Sequence, residues 1–559
     1  MMTYKQPIKE APCKRACPVG IDIPLQNRLI SQGKFVEALK VVQNNNTFPA
    51  VCGYVCPAFC EKACQHSHNH VGGPVAINAL KRFVTEQVSI PRQSTTNKFS
   101  NKRVAVIGSG PAGLTAAYYL TQFLYKVTVL EALPEAGGMM RWGIPEYRLP
   151  RDIIDKEINE VTSVGFEINT NTTVESLDKL LAEGYDAVLV AIGAHRDTKP
   201  GIKGEDTPGV VNGANFLRDL HLGKKTHLGD KVAVIGGGYV AIDSARTALR
   251  LGAKEVIIIC RRSRAEMLGG SEGAREALYE GVRIIFLAAP NTIGVKNGKL
   301  YLEYIRMKLD NSRHQQLGPI KDSNFSMDFD CIITATGQTP DVPGQFNLKL
   351  AERGTIKVNT HTLATDRPGV FACGDAVSGP SAVVKAIAAG RKAALSVDKY
   401  LGGSGEIKEA VMPHVELPAM IHGPSVGKRT AMPMLSLKNW VSSFAPVELG
   451  FDKEMAIRES TRCLWCDLSI VVDSAKCVGC FRCALMCSLR FEGAANPSNA
   501  RINIVPPDRS TPPGKSQISF NENCDCCGIC VRACTYGALT RSELQSHSSE
   551  NLESILKER

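Results

Sequence analysis

The sequence predicts a doubly wound α/β body, with a helical cysteine-rich module before it and an α+β cysteine-rich module after it. Three observations predict this. Apolar strands alternate with helical stretches from about residue 101 to 401, and two glycine-rich turns inside that stretch each join a strand to a helix. The cysteines, twenty in 559 residues, crowd at the two ends. Six fall between Cys13 and Cys64 and eleven between Cys463 and Cys534, with Cys260, Cys331 and Cys373 scattered between. Alternating strands and helices build a parallel sheet covered on both faces. A chain of this length exceeds what one core can hold, so several domains are expected.

The first glycine turn follows the apolar strand Val104–Ile107 and reads Gly108-Ser109-Gly110-Pro111-Ala112-Gly113, opening a helix to Leu120. Its first glycine makes the turn, the second admits a pyrophosphate to the backbone, and the third packs helix on strand beneath the helix N-terminus. The next strand, Lys126–Leu130, ends in Glu131, placed to accept a hydrogen bond from a ribose hydroxyl. The second turn follows Val232–Ile235 and reads Gly236-Gly237-Gly238-Tyr239-Val240-Ala241, with a helix to Leu251. There the second strand, Glu255–Ile259, ends in Cys260-Arg261-Arg262. Two arginines suit a ribose 2′-phosphate by charge and bidentate geometry, which favours NADPH over NADH. The plain alternative is a solvated basic strand end. Two such sites in one chain imply flavin first and nicotinamide second.

The carboxy-terminal cysteines form Cys477-x2-Cys480-x2-Cys483-x3-Cys487 and Cys524-x2-Cys527-x2-Cys530-x3-Cys534. Three thiolates three residues apart wrap one [4Fe–4S] cluster, and the fourth of each run reaches the other cluster. So Cys477, Cys480, Cys483 and Cys534 are expected to hold one cluster, and Cys524, Cys527, Cys530 and Cys487 a second, in a two-cluster ferredoxin-like domain. Zinc is the alternative. Ser488 and Thr535 stand where a proline usually follows the fourth cysteine, and Cys526 falls out of register as a ligand. At the amino end, Cys13-x3-Cys17 is followed by Cys52-x3-Cys56-x3-Cys60-x3-Cys64. No Cys-x2-Cys or Cys-x4-Cys pair lies near either glycine turn, so a dithiol reductase is not expected. Cys260, Cys331 and Cys373 read as small buried core residues. His66, His68 and His70 read as a solvated loop.

Further stretches carry a family resemblance. Gly369-Val370-Phe371-Ala372-Cys373-Gly374-Asp375 resembles a late flavin motif whose aspartate bonds the ribityl chain. Thr334-Ala335-Thr336-Gly337-Gln338-Thr339-Pro340 resembles the crossing between two nucleotide domains. Gly137-Gly138-Met139-Met140-Arg141-Trp142-Gly143-Ile144-Pro145-Glu146-Tyr147-Arg148-Leu149-Pro150 is similar to a flavin-proximal loop. Residues 1–400 resemble the glutamate synthase small-subunit family. Its relatives include the amino-terminal part of dihydropyrimidine dehydrogenase and the large subunit of NADH-dependent ferredoxin:NADP oxidoreductase. The resemblance implies bound FAD and adds Gly138, Arg148, Asp243, Gly374 and Asp375 to the cofactor-binding candidates Gly108, Gly110, Pro111, Ala112, Gly113, Glu131, Gly236, Gly238, Ala241, Arg261 and Arg262.

In those relatives a Cys-x2-Cys pair precedes the segment matching Cys13, and two clusters form. None of the twelve residues before Cys13 is cysteine, but Arg462-Cys463-Leu464-Trp465-Cys466-Asp467 resembles that pair. The resemblance assigns Cys13, Cys64, Cys463 and Cys466 to one cluster, and Cys17, Cys56 and Cys60 to the other. A Gln or Glu completes the second cluster in relatives. Lys81 stands at that position here and is a poor ligand, so Cys52 is the substitute candidate. That Cys463 and Cys466 bind zinc, or nothing, is the alternative. Residues Cys483–Gly493, with Asn496-Pro497 and Ala500-Arg501-Ile502, resemble electron-transfer subunits of tungsten-type aldehyde oxidoreductases and of benzoyl-coenzyme A reductase complexes.

The formal charge of +11 would by itself suit nucleic acid. Anionic clusters remove most of that surplus, and Lys and Arg do not interleave with aromatics as a strand-binding groove requires. Met1–Glu10 is polar, and no apolar run reaches the roughly 18 residues of a membrane helix. A soluble, cytoplasmic chain with no nucleic acid and no membrane insertion is expected. The expected domains are a helical Fe–S domain (1–100), an FAD-binding domain (101–225 plus 330–401) and an NAD(P)H-binding domain (226–329). A linker carrying the displaced cysteine pair (402–470) and the two-cluster domain (471–545) follow. The expected function is an NAD(P)H-linked oxidoreductase with FAD and four [4Fe–4S] clusters that exchanges electrons with a redox protein or ferredoxin in a multi-subunit complex. The rivals are a glutamate synthase small subunit, and a non-catalytic electron-wiring or assembly subunit.

Overall fold

The computed structural model describes residues 2–5, 10–66, 72–92, 99–270, 272–309, 317–407, 428–506 and 516–542. They divide into two compact units. One comprises Pro91–Lys408 with Met434–Leu449; the other comprises Met1–Ile90, Glu409–Pro433 and Gly450–Arg559.

The first unit is built on two five-stranded parallel sheets. One runs, edge to edge, Val370–Ala372, Ala187–Val190, Arg103–Ile107, Lys126–Leu130 and Glu167–Asn169. The other runs Arg283–Phe286, Glu255–Cys260, Lys231–Ile235, Cys331–Thr334 and Val210–Asn212. In each, the strand before the glycine turn is central, and its Val–Ala–Val run is wholly buried. Strands covered on both faces require that continuous apolar run instead of alternation. An antiparallel meander, Ala288–Lys296, Lys299–Leu309 and Leu317–Phe329, buries Ile293, Leu302 and Phe329 against Ala233, Ile257 and Ile332 of the second sheet. Gln338–Thr339 pairs antiparallel with Arg196–Asp197, where the chain returns from the second sheet.

Part of the segment read as linker packs as core. Trp440 and Val447 are buried against Tyr147. The Trp440 indole N–H donates to Glu280, which also takes Arg246 Nε at 2.8 Å and Arg250 Nη1 at 2.8 Å. Among the described residues Glu280 is the one carboxylate that meets both guanidinium groups, because Glu276 reaches Arg246 alone. Removing one partner of a buried charge cluster leaves the rest desolvated and uncompensated. Glu280→Gln is therefore expected to cost about 3–5 kcal/mol, read as a lowered urea midpoint at unchanged slope.

The second unit joins both ends of the chain. Helices Pro12–Ala16, Ile23–Ser31, Phe35–Asn45, Pro49–Val55, Phe59–Lys62 and Ile77–Gln87 come from the amino end, and Lys453–Ser460 from the carboxy-terminal part. Met2–Lys5 pairs antiparallel with Ser469–Asp473, which pairs in turn with Leu539–Ser542. Helices Arg482–Glu492 and Ile529–Ala533 and the hairpin Ile502–Val505 with Gln517–Phe520 complete the carboxy-terminal part. Polar contacts hold the ends together. Glu459, wholly buried, accepts from Ala76 N and Thr430 N, each at 2.8 Å, and from Arg462 Nη1 at 2.5 Å. Arg28 Nη1 meets Asp467 at 2.7 Å.

Candidate cofactor and cluster sites

At the first glycine turn a Cβ on Gly113 would stand 2.0 Å from the Gly108 carbonyl oxygen, so the helix can approach the strand only without a side chain there. A Cβ on Gly138 would stand 2.7 Å from Gly110 Cα, which brings the 137–150 loop against the turn. Pro111 opens helix Pro111–Gln122, followed by Ala112. Glu131 is buried at the end of its strand; its Oε2 accepts from Ser109 N at 2.9 Å and from Ser109 Oγ at 2.5 Å. Gly374 caps the short helix Asp375–Ser378, and Asp375 accepts from Ser381 Oγ at 2.8 Å. Burial pushes the Asp375 carboxyl above the ordinary carboxylate range.

At the second turn Gly236 lies against the Ala335 carbonyl, and Gly238 caps helix Tyr239–Arg250, which contains Ala241 and Asp243. Arg148 Nη1 donates to both carboxylate oxygens of Asp243, at 2.9 and 2.6 Å, so the 137–150 loop is pinned to helix Tyr239–Arg250. Arg261 and Arg262 are exposed and form no ion pair among the described residues; Arg262 Nη1 lies 3.4 Å from the Gly237 carbonyl beside the turn. Cys260, Cys331 and Cys373 are buried in apolar surroundings, as expected of core residues.

In the second unit eight of the cysteines line two cavities, four in each. One cavity, about 360 Å³ of empty space counted with its open mouth, is lined by Cys13, Cys64, Cys463 and Cys466 together with Asn27 and His66. Another, about 330 Å³ on the same measure, is lined by Cys477, Cys480, Cys483 and Cys534 with Ile504, Ile518 and Leu539. Cys530 lies within electrostatic reach of Cys527 and Cys487, and Cys524 is buried just before them. Lys81 lies within reach of Cys56, Cys52, Cys60 and Cys17. Burial pulls its ammonium pKa down, yet those four thiols hold it up at about 12. The Cys52 thiol lies 4.0 Å from Asn46 Oδ1. Among the described residues no three His, Cys, Asp or Glu side chains converge on a point fit for one ion.

One expectation is corrected here. His66 is buried instead of solvated: its Nε2 lies 2.9 Å from the Arg462 carbonyl, and burial pulls its pKa down to about 4. His68 and His70 lie outside the described residues. Cys526, out of register in the sequence, is buried with φ 55° and its Sγ 3.7 Å from the Leu468 carbonyl. Sequence reasoning missed Arg532 and Arg541, which donate to backbone carbonyls around the Cys463–Cys466 pair, and Arg28, Glu459 and Arg462, which tie the same segment to the amino-terminal part through Asp467, Ala76 N and the carbonyls of residues 72–74. Each acts across a long loop, and no local spacing marks it.

The two sheets, each with its glycine turn, define an oxidoreductase of the two-dinucleotide type, here joined to an amino-terminal 4Fe-4S module. The profile of the pyridine nucleotide-disulphide oxidoreductase family matches residues 102–390, and that of dihydropyrimidine dehydrogenase domain II, 4Fe-4S cluster, matches residues 7–92. The chain belongs to this oxidoreductase family, alongside the glutamate synthase small chain and related NADP-dependent oxidoreductase β subunits. It is 40% identical to NADP(+)-dependent formate dehydrogenase subunit beta of Moorella thermoacetica, over 83% of this chain and 71% of that one. To NADPH-Fe(3+) oxidoreductase subunit beta of Geobacter sulfurreducens it is 35% identical, over 82% and 75%. To the glutamate synthase [NADPH] small chain of Escherichia coli it is 32% identical, over 70% and 88%.

Proposed function

We propose that this chain passes electrons between NADPH and a partner redox protein by way of FAD and four [4Fe–4S] clusters. The observation that carries the reading is the cavity in which Cys13 and Cys64 meet Cys463 and Cys466. Each end of the chain contributes two thiols, together the four that one cluster needs. Bound FAD would supply the exchange between a hydride pair and single electrons. The turn Gly108–Gly113 and its helix N-terminus hold the FAD pyrophosphate, Glu131 accepts from its ribose, and Asp375 faces the ribityl chain. The turn Gly236–Ala241 holds the second nucleotide, with Arg261 and Arg262 for its 2′-phosphate.

The remaining cysteines are read as Cys17, Cys56 and Cys60 with Cys52 as fourth thiolate; Cys524, Cys527, Cys530 and Cys487; and Cys477, Cys480, Cys483 and Cys534. The last two sets make the carboxy-terminal part a ferredoxin-like domain with crossed fourth ligands. The Cys466 Sγ lies 3.8 Å from the Cys527 carbonyl, which supports direct succession from the first set to the Cys524 set. Cys480 is the exposed cysteine of the chain, which supports the Cys477 set as the outward end.

The relatives named as β subunits support a place in a multi-subunit complex, with a formate-oxidising or other molybdenum- or tungsten-type oxidoreductase, or a ferredoxin, as partner. No helix among the described residues is long and apolar enough to cross a membrane, and a cytoplasmic location is part of the reading. The isolated, anaerobically prepared chain is expected to reduce a viologen dye with NADPH as sole donor. Dye left oxidised by a flavin-loaded chain would favour a non-catalytic wiring subunit instead.

A further inference from the structure

Five buried arginines surround the cysteines of the second unit, and they divide into two kinds. Arg28, Arg462 and Arg490 each have a carboxylate: Asp467 at 2.7 Å, Glu459 at 2.5 Å and Asp525 at 3.0 Å. Arg532 and Arg541 have none among the described residues, although both are buried. Arg532 donates to the Thr461 and Cys463 carbonyls. Arg541 donates to the carbonyls of Leu464 and Cys526, each at 3.0 Å, to that of Leu468, and to Cys526 Sγ at 3.5 Å. Carbonyls take N–H groups of both side chains, while Arg532 Nε and Arg541 Nε are buried without a hydrogen-bond partner, and both positive charges lack an opposite charge among the described residues. Buried charges are paired or sit beside metal centres, because desolvation otherwise costs several kcal/mol per ion.

The groups of opposite sign within electrostatic reach are cysteines. Arg532 bears on Cys463 and Cys466; Arg541 bears on Cys466, Cys527 and Cys530. The two guanidinium groups therefore occupy the seam between the Cys13/Cys64/Cys463/Cys466 set and the Cys487/Cys524/Cys527/Cys530 set, at the place where Cys466 meets Cys527. We propose that Arg532 and Arg541 are fixed counter-charges that raise the reduction potentials of the two clusters meeting at this seam. The inference rests on the cluster reading above. A cation beside a cluster stabilises its reduced, more negative form, and surroundings of this kind are a main determinant of cluster potential. The two seam clusters then act as the electron reservoir within the chain, and the Cys477 set, farther out, stays at the lower potential.

The test is a potentiometric titration of the full-length, cluster-loaded chain followed by electron paramagnetic resonance, in Arg541→Gln, Arg532→Gln and their lysine counterparts. Iron content is measured first on every variant, so that loss of the clusters themselves is read separately from a shift in their potentials. With iron unchanged, Arg541→Gln is expected to move two of the cluster midpoints to more negative values, Arg532→Gln chiefly that of the Cys13/Cys64/Cys463/Cys466 set, and both to leave the others in place. The Lys variants, which keep the charge but not the fork of hydrogen bonds, are expected to stay near the wild-type midpoints. Gln variants with full iron and unshifted midpoints would overturn the proposal, as would Lys variants that shift as far as Gln.

Discussion

Replacing Cys463 and Cys466 together by serine is expected to remove about four of about sixteen iron atoms, because one complete cluster loses half its thiolates. Those two residues sit with Cys13 and Cys64 around one cavity, although some 400 residues separate them in the chain. Ligation by distant segments closes a long loop, and metal binding of this kind is coupled to folding. The variant should therefore also unfold its second unit at lower denaturant, while FAD binding by the first unit survives. Iron assay and flavin absorbance of the same sample decide it: unchanged iron would mean that the two ends are separate modules.

The second large effect is on nucleotide choice. Arg261→Glu combined with Arg262→Glu is expected to raise the KM for NADPH about ten- to a hundredfold and that for NADH far less. The loss of charge-assisted phosphate contacts costs roughly 1.5–3 kcal/mol. The exposure of both side chains and their lack of ion pairs among the described residues leave them available to a phosphate and make a structural penalty small. Equal changes for the two nucleotides would show that the strand end does not read the 2′-phosphate.

What was legible in the sequence follows the range of the interactions involved. The glycine turns and the carboxy-terminal cysteine runs are local patterns, and the central strands with their buried Val–Ala–Val runs lie where the turns require. The meeting of Cys13 and Cys64 with Cys463 and Cys466 carries no local pattern and was implied by the family resemblance together with a count of ligands, and one cavity is lined by those four. The pairing of Arg148 with Asp243 was not legible, because each residue alone looks like a cofactor contact. Nor was the core role of Trp440: its surroundings are rich in Pro, Gly, Ser and Met, and its partner Glu280 is 160 residues away. His66 misled for the same reason, since a polar loop sequence says nothing of the Arg462 carbonyl that meets its ring.

Iron and acid-labile sulfide per chain, measured on anaerobically purified protein, test the central claim most directly. Four clusters predict about sixteen of each per chain with one FAD. About eight would contradict the account, because two of the four cysteine groups would then hold no cluster.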